Sequence, residues 1–248
     1  MFRPRSLRIL IAPALILAIV AMTGCATGGG EENTTLRKYF NASKMRDNAT
    51  LANIATVSFD PDTHGQVQGF SVTASTPDQV TPLTLKQLQA DVKAAQDAEA
   101  EFSKKKKEFQ DANAEAIERI LKSESASKPL RGKDAEIQAA WIKWRDDTKT
   151  FAAKMSDARK ALNVDRPVVE ISVMDPRDPV IVTDHEGELS TKNLTIDAKI
   201  KAADGTTSQK QFVFTIQRAT LKGIVGRDGK PGDMVGRWVI TKFVEAGK

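Results

Sequence analysis

An α+β fold is predicted from the sequence, with an antiparallel sheet interrupted by a long helical hairpin. Three observations predict it. Apolar positions alternate toward both ends of the chain, two long apolar stripes at helical spacing lie between them, and clusters of Gly, Pro, Asp and Asn cut the alternating stretches into strands. Thr27-Gly28-Gly29-Gly30-Glu31-Glu32 reads as a flexible tether, and Ala26 to Asn33 reaches about 25 Å when extended. Folded structure is expected from about Thr34. Leu36, Tyr39, Phe40 and Ser43 recur at helical spacing, and Asp47 is placed to cap a second short helix through Ile54. Thr56 to Phe59 alternates like a strand, Asp60 to Gly65 is turn chemistry, and Val67, Phe70 and Val72 resume an extended pattern around Gly69.

At Thr84 the pattern changes from period two to a helical period. Thr84 with Gln87 matches a capping box, and Leu83 with Leu88 matches a hydrophobic staple. Leu85, Leu88, Val92, Ala95, Phe102, Phe109, Ala116 and Ile120 keep 3,4 spacing, with Glu99, Lys106 and Asn113 breaking the same seam. Past a loop at Ser123 to Lys133, Asp134 is placed to cap a second helix. Its seam is Ile137, Trp141, Trp144, Thr148, Phe151, Met155, Ala158 and Leu162. Two such stripes joined by a short connection make an antiparallel hairpin. At 1.5 Å per residue, Leu85 to Lys122 spans about 57 Å and Asp134 to Leu162 about 43 Å, so the pair is expected to stand out as an arm. Trp141, Trp144 and Phe151 fill the seam in the simpler reading; in the other they form a candidate partner-binding surface on the arm.

From Pro167 the sequence reads as strands again: Val168 to Met174, Val180 to Asp184, Leu194 to Ile200 with alternate residues on one face, Gln211 to Leu221, and Arg237 to Val244. Ala203-Asp204-Gly205 and Gly226 to Asp233 are the turns between them. The strands before Thr76 are too few to bury a face alone, so one sheet domain (34–80 and 164–248) is expected to carry the inserted hairpin (81–163).

Arg3, Arg5 and Arg8 precede an apolar run from Ile9 to Ala21, a charged-then-apolar leader too short to span a membrane comfortably. It ends at Met22-Thr23-Gly24-Cys25, and Cys25 is the chain's only cysteine. This arrangement resembles the lipobox of bacterial lipoprotein precursors, with Met22 where that family prefers Leu. The resemblance implies cleavage of residues 1–24, a lipid on the Cys25 sulfur, and a lipidated cysteine with its tether over 25–33. An ordinary cleaved signal, or a short membrane anchor, is the alternative. Ala26 after the cysteine, in place of aspartate, favours the outer membrane by the sorting rule of enterobacterial lipoproteins. The chain is thus expected to meet the membrane through a lipid anchor and to face the periplasm.

Leu36-Arg37-Lys38-Tyr39-Phe40, Arg46 to Leu51 and Gly236-Arg237-Trp238-Val239-Ile240 are similar to the ends of NTF2-like (SnoaL-like) domains. That resemblance implies opening helices packed into a curved antiparallel sheet. The long arm departs from the usual pattern, and no catalytic residue carries over.

Catalytic signatures are missing from the sequence. His64 and His185 are the only imidazoles and each sits in a polar turn, away from any second metal-ligand motif. Asp184-His185-Glu186 with Glu188 reads as a solvated turn, and Asp228 to Asp233 lacks the oxygen spacing of a calcium loop. Neither a metal nor a cofactor is expected. Removal of the leader lowers the formal charge from +5 to +2, which argues against a nucleic-acid binder. The expectation is a non-enzymatic, lipid-anchored envelope lipoprotein whose arm meets a protein partner in interaction or assembly. The alternative is an NTF2-like binding module for a small molecule or peptide, with Phe70, Phe212, Phe214 and Trp238 as lining or as core.

Overall fold

The structure is a computed structural model and describes residues 30–126, 129–225 and 230–246. Met22, Thr23, Gly24 and Cys25 therefore lie outside the described residues, as do the first half of the tether and the first part of the Gly226 to Asp233 turn. The fold is α+β: helices α1 (Glu31–Met45), α2 (Asn48–Ala52) and α3 (Pro61–His64), strands β1 (Gln66–Ser75) and β2 (Gln79–Pro82), then arm helices α4 (Leu85–Ala112), α5 (Ala114–Ser125) and α6 (Lys133–Val173). A 3-10 turn (Val182–Asp184) leads into β3 (Gly187–Lys201), β4 (Thr207–Val225), β5 (Pro231–Val235) and β6 (Val239–Glu245).

All strands pair antiparallel around the long β3–β4 hairpin, with β1 and β2 successively along the outer edge of β3 and β6 and β5 along that of β4. The β3–β4 register is unbroken from Gly187 opposite Leu221 to Lys201 opposite Thr207. In an unbroken register odd and even residues stay on opposite faces. Burial nevertheless changes parity. Leu194, Ile196, Ala198 and Ile200 pack with Phe212, Phe214 and Ile216 in one core, whereas Leu189, Ala219 and Leu221 belong to another. The sheet thus buries one face against α1–α3 at one end and the opposite face against the arm helices at the other.

The first core is built of rings in mutual contact. Phe40 lies 5.6 Å from Phe59 and 5.5 Å from Phe214, while Phe59 lies 5.5 Å from Phe212. These rings occupy the interior that a cone-shaped binding site would need, so Phe212 and Phe214 serve as core. Phe70 packs against them, and Trp238 is buried in the same cluster. Tyr39 is wholly buried, and burial pushes its phenol pKa above the ordinary value. His64 stands against Phe59 and Phe243 at 4.9 and 5.3 Å.

Several elements differ from the sequence expectation. Pro167 to Val173 is not a strand but the last turns of α6, because Val168, Val169, Ser172 and Val173 are buried at helical spacing and tertiary packing overrides their β-branched preference. Val180 to Asp184 holds the 3-10 turn, and Thr56 to Phe59 makes no strand; only Ala55, just before it, forms a parallel bridge with Ile240. The first arm helix ends at Asn113, whose side chain donates to the Phe109 carbonyl (2.8 Å), and α5 starts anew beyond it. The capping box at Thr84 is not made, since Gln87 donates instead to Asp91. Gly132, and not Asp134, stands at the N-cap of α6, and α1 begins at Glu31 inside the expected tether. Asp47 does cap α2, accepting from the Thr50 amide (3.0 Å).

Candidate functional site

The arm is an antiparallel pair, α4–α5 against α6. Phe102 lies 4.5 Å from Phe151 and 5.1 Å from Trp144, Phe109 lies 6.0 Å from Trp144, and Arg119 bonds Asp134 beyond them. Each step outward along α4 and α5 is therefore matched by a step back along α6. Trp141 is buried between Ile117 and Ile120, with Phe109, Leu130, Ile137 and Trp144 packed around them. All of these residues belong to the arm. Its outer half consequently has a small core of its own and projects from the sheet. At 41 residues, α6 is about 62 Å long.

The sequence-predicted trio divides here. Trp144 and Phe151 meet across Phe102 and stay half-buried, while Trp141 sits further out and is nearly covered. A two-helix seam cannot close over large rings, so Trp144 and Phe151 keep a face toward solvent. Of the polar breaks, Lys106 donates to Thr148 (2.8 Å) and its ammonium lies 5.8 Å from the centre of the Trp141 ring. The Trp141 indole N–H is buried and finds no acceptor among the described residues. Toward the tip, Arg119 makes two hydrogen bonds to Asp134 and Arg145 two to Glu124, which also accepts from Gln138. The Gln138 and Arg145 bonds hold the Glu124 carboxyl below its usual range, and Arg119 does the same for Asp134. Leu121 and Ile142 are exposed apolar residues on this part of the arm.

The root is built differently. Leu85, Val92, Leu162, Val168, Val169 and Val173 pack on Leu189, Ala219, Leu221 and Val239 of the sheet. The end of α6 is bolted on through backbone. Ser172 Oγ donates to the Arg237 carbonyl (2.8 Å) and accepts from the Ala219 amide (2.9 Å), and the Arg237 amide donates to the Ser172 carbonyl (2.8 Å). The Arg237 guanidinium donates to the carbonyls of Ile171 and Met174, which a helix C-terminus otherwise leaves unpaired. Gly236 permits the approach: a Cβ there would lie 2.3 Å from Ser172 Oγ and 2.7 Å from its carbonyl oxygen. The expected boundary at 163/164 therefore crosses a continuous helix. Ser172, Gly236 and Arg237 as an arm mount were not foreseen, because Ser172 meets its partners across 47 and 65 residues of sequence.

A second cluster sits where the sheet exchanges its buried face. Lys192, from β3, donates to Glu32 (2.8 Å) and pairs with Asp78 (2.9 Å), and Arg218 from β4 lies 3.7 Å from Glu31. Both cations lie over Trp238, at 5.1 and 4.5 Å from the ring centre. Burial alone would raise the Glu32 pKa, but the Lys192 hydrogen bond and charge hold it below the usual value; burial would lower that of Lys192, but Glu32 and Asp78 raise it.

The turn at Asp184 to Glu188 disperses its charges, Glu186 pairing with Lys86 and Glu188 with Lys222. Among the described residues no three of His, Cys, Asp and Glu gather in a group able to hold a metal, and no helix is long and apolar enough to cross a membrane. Comparison with known protein families, curated proteins and solved structures finds no match.

Proposed function

We propose that this is a non-enzymatic, lipid-anchored cell-envelope protein that works through its arm, holding or assembling a protein partner at a distance from the membrane. The observation that carries the reading is the arm: its outer half has a separate core with half-open aromatic rings at Trp144 and Phe151, and at its root a mount ties α6 to the sheet backbone. A surface so held presents its rings in a fixed direction, which lowers the ordering cost of binding. The leader ending at Cys25 supports the anchor, and acyl chains contributing about 0.8 kcal/mol per buried methylene hold such a domain on a bilayer without a spanning helix.

The arm is tested by replacing residues 96–157 with a short Gly/Asn loop, which spares Leu85, Val92 and Leu162 of the root. Crosslinking in intact cells is expected to lose its complexes while the remaining domain stays folded. Retained complexes would overturn the reading. The anchor is tested by radiolabelled palmitate, which should label the wild type and not Cys25→Ser; equal labelling rejects it.

A further inference from the structure

The first turn of α1, Glu31-Glu32-Asn33-Thr34, buries no apolar side chain; burial in this helix begins at Thr35 and Leu36. Gly30 at its N-cap supplies no side-chain hydrogen bond. A short polar turn at a helix end is ordinarily the first part to fray. Here it is fastened by charge. Lys192, whose side chain is 16% exposed, holds Glu32 and Asp78 together, and Arg218 reaches Glu31 above the same indole. Asp78 lies on the connection between β1 and β2, so the fastening joins α1, two strands of the central hairpin and that connection at one point. Nothing apolar would resist its opening, and Tyr39 and Phe40 would keep the rest of α1 in the core.

We infer that this cluster is a charge-held clip on the opening turn of α1 that sets the length of the tether preceding it. Opening releases four residues from 1.5 Å to about 3.4 Å of rise each and lengthens the tether by roughly 8 Å. The inference rests on the anchoring reading for its purpose: the clip then sets how far from the bilayer the arm is carried. Its partly buried pairs are screened less than surface pairs, so the clip holds at ordinary ionic strength and is released by loss of a partner.

Hydrogen exchange on the full chain in detergent reads it directly, at the amides of Thr34, Thr35 and Leu36. Lys192→Met keeps cover over Trp238 but removes the charge, and Glu32→Asp keeps a charge at the helix N-terminus but shortens its reach to Lys192. Both variants are expected to speed exchange of those amides by about tenfold, with Tyr39 to Ser43 and the β3–β4 amides unchanged. Wild-type rates in both variants would overturn the clip, and so would acceleration spread evenly along α1. Should Lys192→Met disturb the sheet, Glu32→Asp alone decides. Palmitate labelling of Cys25 is independent of this measurement, so failure of the anchor and failure of the clip are told apart.

Discussion

The root and the outer half of the arm are made of the same two helices, yet they are held by different physics. At the root, aliphatic side chains are buried on three sides by α4, α6 and the sheet, and the helix end shares hydrogen bonds with strand backbone. Outside it, the seam between two helices is closed by a small cluster around Trp141, by rings that stay half-open and by ion pairs near the tip. The arm is thus fixed in direction by its mount, while its outer part is held by a smaller core and by ion pairs. Local stability should therefore fall from root to tip.

The largest effect is expected at the mount. Gly236→Val forces a Cβ into the Ser172 backbone and should cost about 3 kcal/mol, lowering Tm by roughly 6–12 °C in a chain of this size. Leu162→Ala, which opens a cavity in the same core, should cost about 3 kcal/mol. Calorimetry checks both, and a change small compared with these values would show that the mount is looser than its geometry.

Truncation further out should matter less and stay local. Trp141→Ala removes the largest member of the outer core, but two unconstrained helices can collapse on the gap, so about 1–2 kcal/mol is expected. Hydrogen exchange should quicken in α5 and the facing turns of α6 while β3 and β4 keep their rates. Acceleration reaching the sheet would merge the two regions into one cooperative unit. Lys106→Leu is the converse experiment. It replaces a polar break by an apolar seam residue opposite Thr148 and should stabilise the arm by about 1 kcal/mol, seen as slower trypsin cleavage outside the root.

What the sequence disclosed follows the same division. The arm was legible because a 3,4 spacing repeated over many turns leaves little room for another reading, and the α+β class followed from the alternation at Leu194 to Ile200 and Gln211 to Leu221. The root was not. Val168 to Val173 carries a strand-like composition and becomes helical only because the sheet covers one side of it. Gly236 and Arg237 read as the start of the closing strand, but β6 begins at Val239 and the two residues before Trp238 serve the mount on Ser172. The change of buried parity between Leu189 and Leu194 was present in the sequence, but it means a crossing of faces only once the unbroken pairing with β4 is known. Trp144 and Phe151 were identified as candidates, and their partner Phe102 stood on the other seam; which rings stay open depends on how far two helices can close.

Acid should separate the regions with the smallest perturbation. Among the described residues the root core is aliphatic and buries no carboxyl group, whereas Glu124 and Asp134 tie the outer part of the arm together with carboxyl pKa values held below their usual range. A carboxylate with a depressed folded pKa stabilises the fold above its unfolded pKa, near 4, and that contribution is lost as pH falls through the folded value. Hydrogen exchange on either side of that window should therefore show α5 and the first turns of α6 opening while Val168 to Val173 remains protected. Arg119→Ala and Arg145→Ala should each remove part of this pH dependence with little change in global Tm, because the arginine of each pair is open to solvent, at 55% and 40% exposure. Equal loss of protection at root and tip would mean that the acid response belongs to the whole fold, and that the arm has no independently softened end.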